Sequence, residues 1–315
     1  MTIVHSKKYF YKYVTAETAL LILRDHKIKY SSPVIFNDPF DTQTRIGFSF
    51  DESEAAKAFT QELYRLIHDE KEPSLDPTSR VARQVSLMRQ VRKESGRKMS
   101  RDVWMEMAKD IIELQTEQLS KLVDETNAMW SKAVRAFRVF CVVEEHENLL
   151  MWAHYAQNHT GAVIQFECLE ELDTPLCAAR KVRYLRTPPV IAEDVDDYIR
   201  GVTGELEPAN YESLFFDLCL SKSEHWKYER EWRVFIPPDL LNPIIPKDAY
   251  GNEVLFDLKP FHPQEIHSIY FGCKMSEDNR QKIETFLTGD FGHVKKYKCI
   301  RSEKKYKLDF VELTR

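Results

Sequence analysis

The stretch Trp226-Lys-Tyr-Glu229-Arg-Glu231-Trp-Arg233 holds the residues whose types and spacing speak most directly of chemistry. A Glu-x-Glu entering a strand sends both carboxylates to one face, because strand side chains repeat every two residues. Two like charges held close raise one another's pKa, or need a cation or a polyhydroxyl partner. Such a pair can orient a sugar hydroxyl, stabilise an oxocarbenium-like centre or bind a metal. The alternative is a solvated face on which Glu229 and Glu231 pair with Arg230 and Arg233.

Four other groups carry chemical potential. Asn37-Asp38-Pro39, enclosed by Phe36 and Phe40 and followed by Asp41, either presents polar groups to a ligand or satisfies its own turn backbone. Its flanking phenylalanines point to inward packing and a cavity wall. Tyr11 and Tyr13, on one face of a strand, either stack on an aromatic ring or fill a core. Around residues 149–155, Trp152, Tyr155 and Ala156 form a helical core stripe; His154 lies off it, as a pH-sensitive group or a surface residue. Arg80, Arg83, Arg89, Arg92, Lys93, Arg97, Lys98 and Arg101 form a basic run opposed only by Glu94, either a solvated face or a phosphate-binding one. A glycine-rich phosphate loop, a nucleophile elbow and an H-E-x-x-H motif are all absent from the sequence.

The elements that must position these groups follow from periodicity and punctuation. Residues 9–14 read as a strand, Thr15 as the cap of a helix running to Arg24 with Leu20, Leu21 and Leu23 facing inward, and residues 28–32 as a second strand ended by Pro33. Residues 51–135 are charged, poor in glycine and apolar at helical spacing, which predicts three or four helices. Strands are expected at 137–143, 161–167, 181–185, 231–236, 254–258, 266–271, 294–299 and 306–310. Helices are expected at 148–157, 208–222 and 276–287. The expected fold is α/β in the α+β sense: a mixed or antiparallel sheet core in one domain spanning 1–315, with 51–135 as a helical insertion. The strands before residue 50 and after residue 136 need each other to close a core.

Bulk properties exclude some classes. With 43% hydrophobic and 30% charged residues the chain is an ordinary folding sequence, and its net charge of −5 confines any nucleic-acid contact to a local basic patch. The six cysteines show no C-x-x-C pairing, which argues against a zinc site or disulfide framework. No apolar signal core or run of eighteen apolar residues is visible, so a cytoplasmic protein without membrane association is expected.

Taken together, Tyr11-Lys-Tyr13, Phe36-Asn-Asp-Pro-Phe-Asp41, Leu150-Met-Trp-Ala-His-Tyr155 with Gly161, and Lys222 followed by Trp226-x-Tyr-Glu229-x-Glu231-Trp-Arg233 resemble a bacterial family. It is catalogued as domain of unknown function 2971, and the order and spacing correspond from about residue 9 to residue 272. Its layout is similar to ADP-ribosyltransferase folds. That resemblance implies an NAD-consuming enzyme with Glu231 as the catalytic glutamate, Glu229 contacting the acceptor, and Tyr13 in the place of the first motif. Ser31 and Ser32 would take the second motif, and Asn37 would help hold the nicotinamide side. Tyr11, Asp38 and His154 complete the cofactor-binding set, with NAD as substrate and no bound metal. Tyr11-Lys-Tyr13 departs from the similar folds, which carry His or Arg there. A bacterial toxin or phage-defence effector acting on nucleic acid or protein is implied, with the run from Arg80 to Arg101 as a nucleic-acid contact and a defence or antitoxin protein as partner. Two alternatives stand beside it. One is a nuclease holding Mg²⁺ on Asp38, Asp41, Glu229 and Glu231. The other is a non-enzymatic binding module.

Overall fold

The computed structural model describes residues 5–71, 73, 75, 77, 79–96, 98–204, 211–239 and 243–313. The aromatic run after Lys8 forms strand β1 (Tyr9–Val14). Thr15 follows and caps helix α1 (Ala16–Asp25) by accepting the Thr18 amide, and His26 closes that helix in the left-handed conformation. α1 buries Ala16, Ala19, Ile22 and Leu23. Leu21, expected to face inward, is 41% exposed, because the buried stripe keeps helical spacing through positions 19, 22 and 23. Strand β2 (Lys27–Ser31) leads into a 3-10 turn, Pro33–Ile35. Helices α2 (Glu52–His68), α3 (Arg80–Ser95), α4 (Arg101–Met107) and α5 (Lys109–Ala136) follow. Next come β3 (Arg138–Val143), α6 (Leu149–His154) and β4 (Ala162–Glu167), then β5 (Arg180–Lys181) and β6 (Arg183–Leu185). Helices α7 (Val195–Thr203) and α8 (Tyr211–Cys219) precede β7 (Ser221–Ser223) and β8 (Glu231–Ile236). The chain closes with β9 (Phe256–Pro260), β10 (Ile266–Phe271), α9 (Glu277–Phe286) capped by Ser276, β11 (Lys295–Arg301) and β12 (Leu308–Glu312).

Two compact units result: Met1–Gln43 with Lys132–Thr187 and Leu220–Arg315, and Thr44–Ser131 with Pro188–Cys219. The first is built on a ten-stranded mixed sheet in the order β12-β11-β10-β4-β1-β3-β2-β9, with β8 added on β3 and β5 on β8. β10 and β11 run parallel, whereas the other pairs of this sheet are antiparallel. Alternation along the strands separates two apolar layers. Phe10, Val142, Ile164, Phe166 and Ile269 meet α1 and α9 residues on one face, and Tyr13, Val143, Trp152, Val163 and Tyr270 cluster on the other.

β3 is where the sheet opens. One edge pairs with β8 over six positions, from Arg138↔Ile236 to Val143↔Glu231. The other edge meets β1 only at Tyr11↔Val143 and β2 only at Ser31↔Val139. β1 and β2 therefore splay apart, with Cys141 midway between the two bridges. Its carbonyl accepts a 2.6 Å hydrogen bond from the Lys12 ammonium.

In the second unit α2 packs on α3, α4 and α7, with Leu63, Leu66, Ile67 and Val85 buried against Trp104. Residues 188–219 belong to this unit as well as the expected helical stretch, and backbone hydrogen bonds from Ile191 to Gly47 and from Ser49 to Ala192 tie its two segments together. Of the helix expected at 208–222, residues 208–210 lie outside the described residues; the helix ends at Cys219, and Ser221–Ser223 is a strand. The basic run is not a uniform solvated face. Arg89 donates to the carbonyls of Leu66 and Lys71, and Arg92 to that of Ile67, so both guanidinium groups serve the C-terminal end of α2. Arg101 bonds Gln61, and Arg97 lies outside the described residues. Among the described residues no helix is long and apolar enough to cross a membrane.

Candidate functional site

The opening between β1 and β2 is a cavity of about 280 Å³, lined by Tyr11, Lys12, Tyr13, Ser31, Phe36, Asn37, Asp41, Cys141, Val143, Met151, Tyr155, Lys222, Glu229 and Glu231. Tyr11 and Tyr13 face it from β1, Ser31 from the end of β2, and Phe36, Asn37 and Asp41 from the turn after β2. Tyr13 is locked in place by its hydroxyl, which donates to the Glu145 carbonyl, and by its ring, which meets Trp152 edge-on at 5.5 Å.

Glu229 and Glu231 do not share a continuous strand. Glu229 ends a 3-10 turn, Glu224–Glu229, and Arg230 adopts the left-handed conformation (φ 49°) before β8 begins. The reversal at Arg230 brings both carboxylates onto Lys222, from the short strand β7. The Lys222 ammonium lies 2.5 Å from Glu229 Oε2, 3.0 Å from Glu231 Oε2 and 3.7 Å from Asp41 Oδ2. Arg233 completes the group. Its Nε sits 2.8 Å from Glu231 Oε1, and its Nη1 and Nη2 grip Asp41 at 2.8 and 2.6 Å as a fork. Arg230, expected to pair with the glutamates, turns away to Glu145.

These five charges are hidden from solvent: relative exposure is 2% for Asp41, 7% for Lys222, 4% for Glu229, 4% for Glu231 and 0% for Arg233. Three carboxylates face two cations, so one acid remains in excess, and the two glutamates respond in opposite directions. Burial works against the Glu231 charge, yet Arg233 and Lys222 outweigh it and hold that carboxyl well below the usual range. For Glu229 burial, aided by the nearby Glu231 charge, prevails over Lys222, and its pKa is raised. Asp41 is also raised, by burial first, against the pull of Arg233. Burial acts to lower the Lys222 pKa, and the three carboxylates overturn it and raise it. Tyr155 donates to Glu229 Oε1 at 2.6 Å and accepts from Asn37 Nδ2 at 3.2 Å, linking the turn after β2 to the acid pair. Burial pushes the Tyr11 phenol up to about 12 and the Cys141 thiol up too, so both stay protonated at neutral pH.

Six of the nine expected site residues therefore meet at one cavity: Tyr11, Tyr13, Ser31, Asn37, Glu229 and Glu231. Ser32 does not; it is fully buried, donates to the Val134 carbonyl and accepts the Val34 amide, a backbone-satisfying role. Asp38 caps the Phe40 amide through Oδ1, and its buried Oδ2 has no hydrogen-bond partner among the described residues. His154 is exposed, with its ring 6.3 Å from Tyr155 and 6.5 Å from Tyr228, and does not line the cavity. Phe40 points outward at 69% exposure; only Phe36 turns in, beneath the Arg233 guanidinium at 5.6 Å.

Residues 151–234 match the family model described as protein of unknown function DUF2971. The likeness to DUF2971 is thereby shown. The matched segment contains Met151, Tyr155, Lys222, Glu229, Glu231 and Arg233, so the DUF2971 stretch supplies the acidic side of the cavity. Tyr11, Lys12, Tyr13, Asn37 and Asp41 come from outside it. No curated protein and no solved structure matches the chain.

The pairing of Arg233 with Glu231 was expected, but Lys222 as the shared partner of both glutamates and Lys12 as a cavity residue were missed, and Tyr155 was assigned to the core. Tyr155 does lie on the helical stripe with Trp152, but it terminates α6, where its hydroxyl can leave the stripe for Glu229. A sequence signal for Lys222 existed: a lone lysine in an otherwise apolar and small stretch, seven residues before Glu229.

Proposed function

We propose that this chain is an NAD-consuming, ADP-ribosyltransferase-like enzyme that breaks the nicotinamide–ribose bond at the Glu229/Glu231 cavity. The observation that carries the reading is one buried acid pair with pKa values pushed apart, at the end of an aromatic-walled opening in the sheet. When that bond breaks, its electron pair leaves on the nicotinamide ring nitrogen and the ribose becomes an oxocarbenium-like cation. Glu231, kept ionised by Arg233 and Lys222, supplies the negative charge that a ribose hydroxyl and the developing cation need. Glu229, with its raised pKa, suits proton transfer from the acceptor that attacks the sugar. Tyr11 and Tyr13 give the nicotinamide ring a surface to stack on, and Asn37 offers an amide beside it. At the first motif neither His nor Arg is present; Lys12 lines the cavity there, with its ammonium on the Cys141 carbonyl. An acceptor on nucleic acid or protein, and a toxin or phage-defence role with a partner protein, extend the same proposal.

The Mg²⁺ nuclease reading finds less support. Asp41 spends both carboxylate oxygens on Arg233, Asp38 does not line the cavity, and no group of three His, Cys, Asp or Glu among the described residues could hold a metal ion.

The test is incubation with NAD, with and without bulk RNA, DNA and lysate, following nicotinamide release. Wild type should release nicotinamide, and Glu231→Gln and Glu229→Gln should each lose most of it while keeping a cooperative melt. Unchanged release in folded Glu231→Gln, or no release by wild type under any of these conditions, overturns the proposal.

A further inference from the structure

Away from the cavity, two sulfurs face each other at non-bonded contact. Cys168 Sγ and Cys177 Sγ lie 3.0 Å apart. The loop that joins them closes on itself, the Leu169 amide donating to Thr174 Oγ1 and the Cys177 amide to the Thr174 carbonyl, and the Cys168 amide ties its start to the Lys8 carbonyl before β1. Thr174 is buried at the hub of this loop, so the two thiols meet because the backbone is held, not through a side-chain rotation of free chain ends. Access is unequal. Cys177 is buried, whereas Cys168 is partly exposed and lines a surface cavity of about 410 Å³ with His5, Lys7, Lys8 and Glu170.

We propose that Cys168 and Cys177 form a reversible disulfide by exchange with a low-molecular-weight disulfide such as oxidised glutathione. Cys168, the accessible thiol, gives up its proton and attacks one glutathione sulfur; the glutathione S–S bond breaks and one glutathione thiolate leaves. Cys177 then attacks Cys168 Sγ, the mixed disulfide breaks, and the second glutathione thiolate leaves. The two thiol protons end on the two glutathiones, so two electrons pass from the protein to one molecule of oxidised glutathione. Sequence spacing concealed the pair, because eight residues lie between the cysteines and no C-x-x-C motif marks them. Burial, and then the facing Cys177, push the Cys168 thiol up to about 12. Thiolate is therefore scarce and the forward step is slow.

The experiment equilibrates the native full chain in buffers of graded glutathione to oxidised glutathione ratio, quenches with acid, alkylates free thiols and maps peptides by mass spectrometry. The expected result is a 168–177 cross-link, lighter by two hydrogens, that appears with oxidation and disappears on return to reduced glutathione. Cys141, Cys219, Cys273 and Cys299 should be alkylated throughout. Cys177→Ser should trap glutathione on Cys168, and Cys168→Ser should leave Cys177 unmodified. Alkylation of both Cys168 and Cys177 at every ratio overturns the proposal, as does a wild-type mixed disulfide on Cys168 that Cys177 never resolves.

Discussion

Lys222 is the cation on which the buried glutamates depend, because it is the group that touches both of them. Removing one partner of a buried charge group leaves the rest desolvated and uncompensated, which costs about 3–5 kcal/mol. Lys222→Met should therefore lower stability by that order in urea denaturation. Adding Glu229→Gln should restore part of the loss, with a coupling of about 0.5–3 kcal/mol; strictly additive losses would show that the pair is not coupled. Glu229 also has a pH signature of definite sign. Its folded-state pKa is raised above the ordinary 4.5, so its contribution is full below that value and is lost as pH climbs through the folded one. Wild type should lose stability relative to Glu229→Gln as pH rises above 4.5, read from urea midpoints across a pH series. Glu231, with its lowered pKa, acts in the window below the ordinary value, where its contribution falls as pH falls, so the two titrations separate. A difference curve that rises above 4.5 would contradict the assignment to Glu229.

The element that sets Tyr155 is the tight turn between α6 and β4. Gln157, Asn158 and His159 all have positive φ, and two glycines let neighbouring backbone approach. A Cβ on Gly272 would stand 2.1 Å from the His159 carbonyl oxygen, and one on Gly161 would stand 2.2 Å from that of Val14. Gly272→Ala should cost at least about 1–3 kcal/mol, the scale of forced overpacking. Gly201→Ala, inside α7 with nothing within 4 Å, should instead gain up to about 1 kcal/mol. Thermal melts of the two variants, moving in opposite directions, check this. At this scale the sequence was readable wherever local rules govern. Thr15 caps the helix it was expected to cap, the helix expected from residue 276 starts on the Ser276 cap, and β1, β8 and β10 have the expected bounds, because capping and alternation are properties of neighbouring residues. The Arg230 reversal was not readable. Arginine has no preference for positive φ; it accepts one here because the turn lets both glutamates reach Lys222. The splaying of β1 from β2 was equally hidden, since it depends on which strands pair with β3 and not on the residues of any one strand.

For the whole molecule, the balance of charge bears on which acceptor the proposed enzyme meets. The chain carries a net charge of −5, and its basic run is partly committed: Arg89 and Arg92 hold carbonyls at the end of α2 instead of standing free for phosphates. Counterion release rewards only those cations that reach the nucleic-acid backbone. Bulk RNA or DNA should then bind no better than non-specifically, with Kd on the order of 10⁻⁴ to 10⁻⁶ M, and should be released as salt rises from about 50 to about 200 mM. Fluorescence anisotropy titrations at several salt concentrations test this. Within the run, Lys93→Ala and Lys98→Ala should reduce the salt dependence while leaving the melt unchanged. Arg89→Ala and Arg92→Ala should lower the melting temperature first, because they uncap α2. Tight binding that survives raised salt and ignores Lys93 and Lys98 would place the nucleic-acid contact elsewhere on the chain and remove the basic run from consideration.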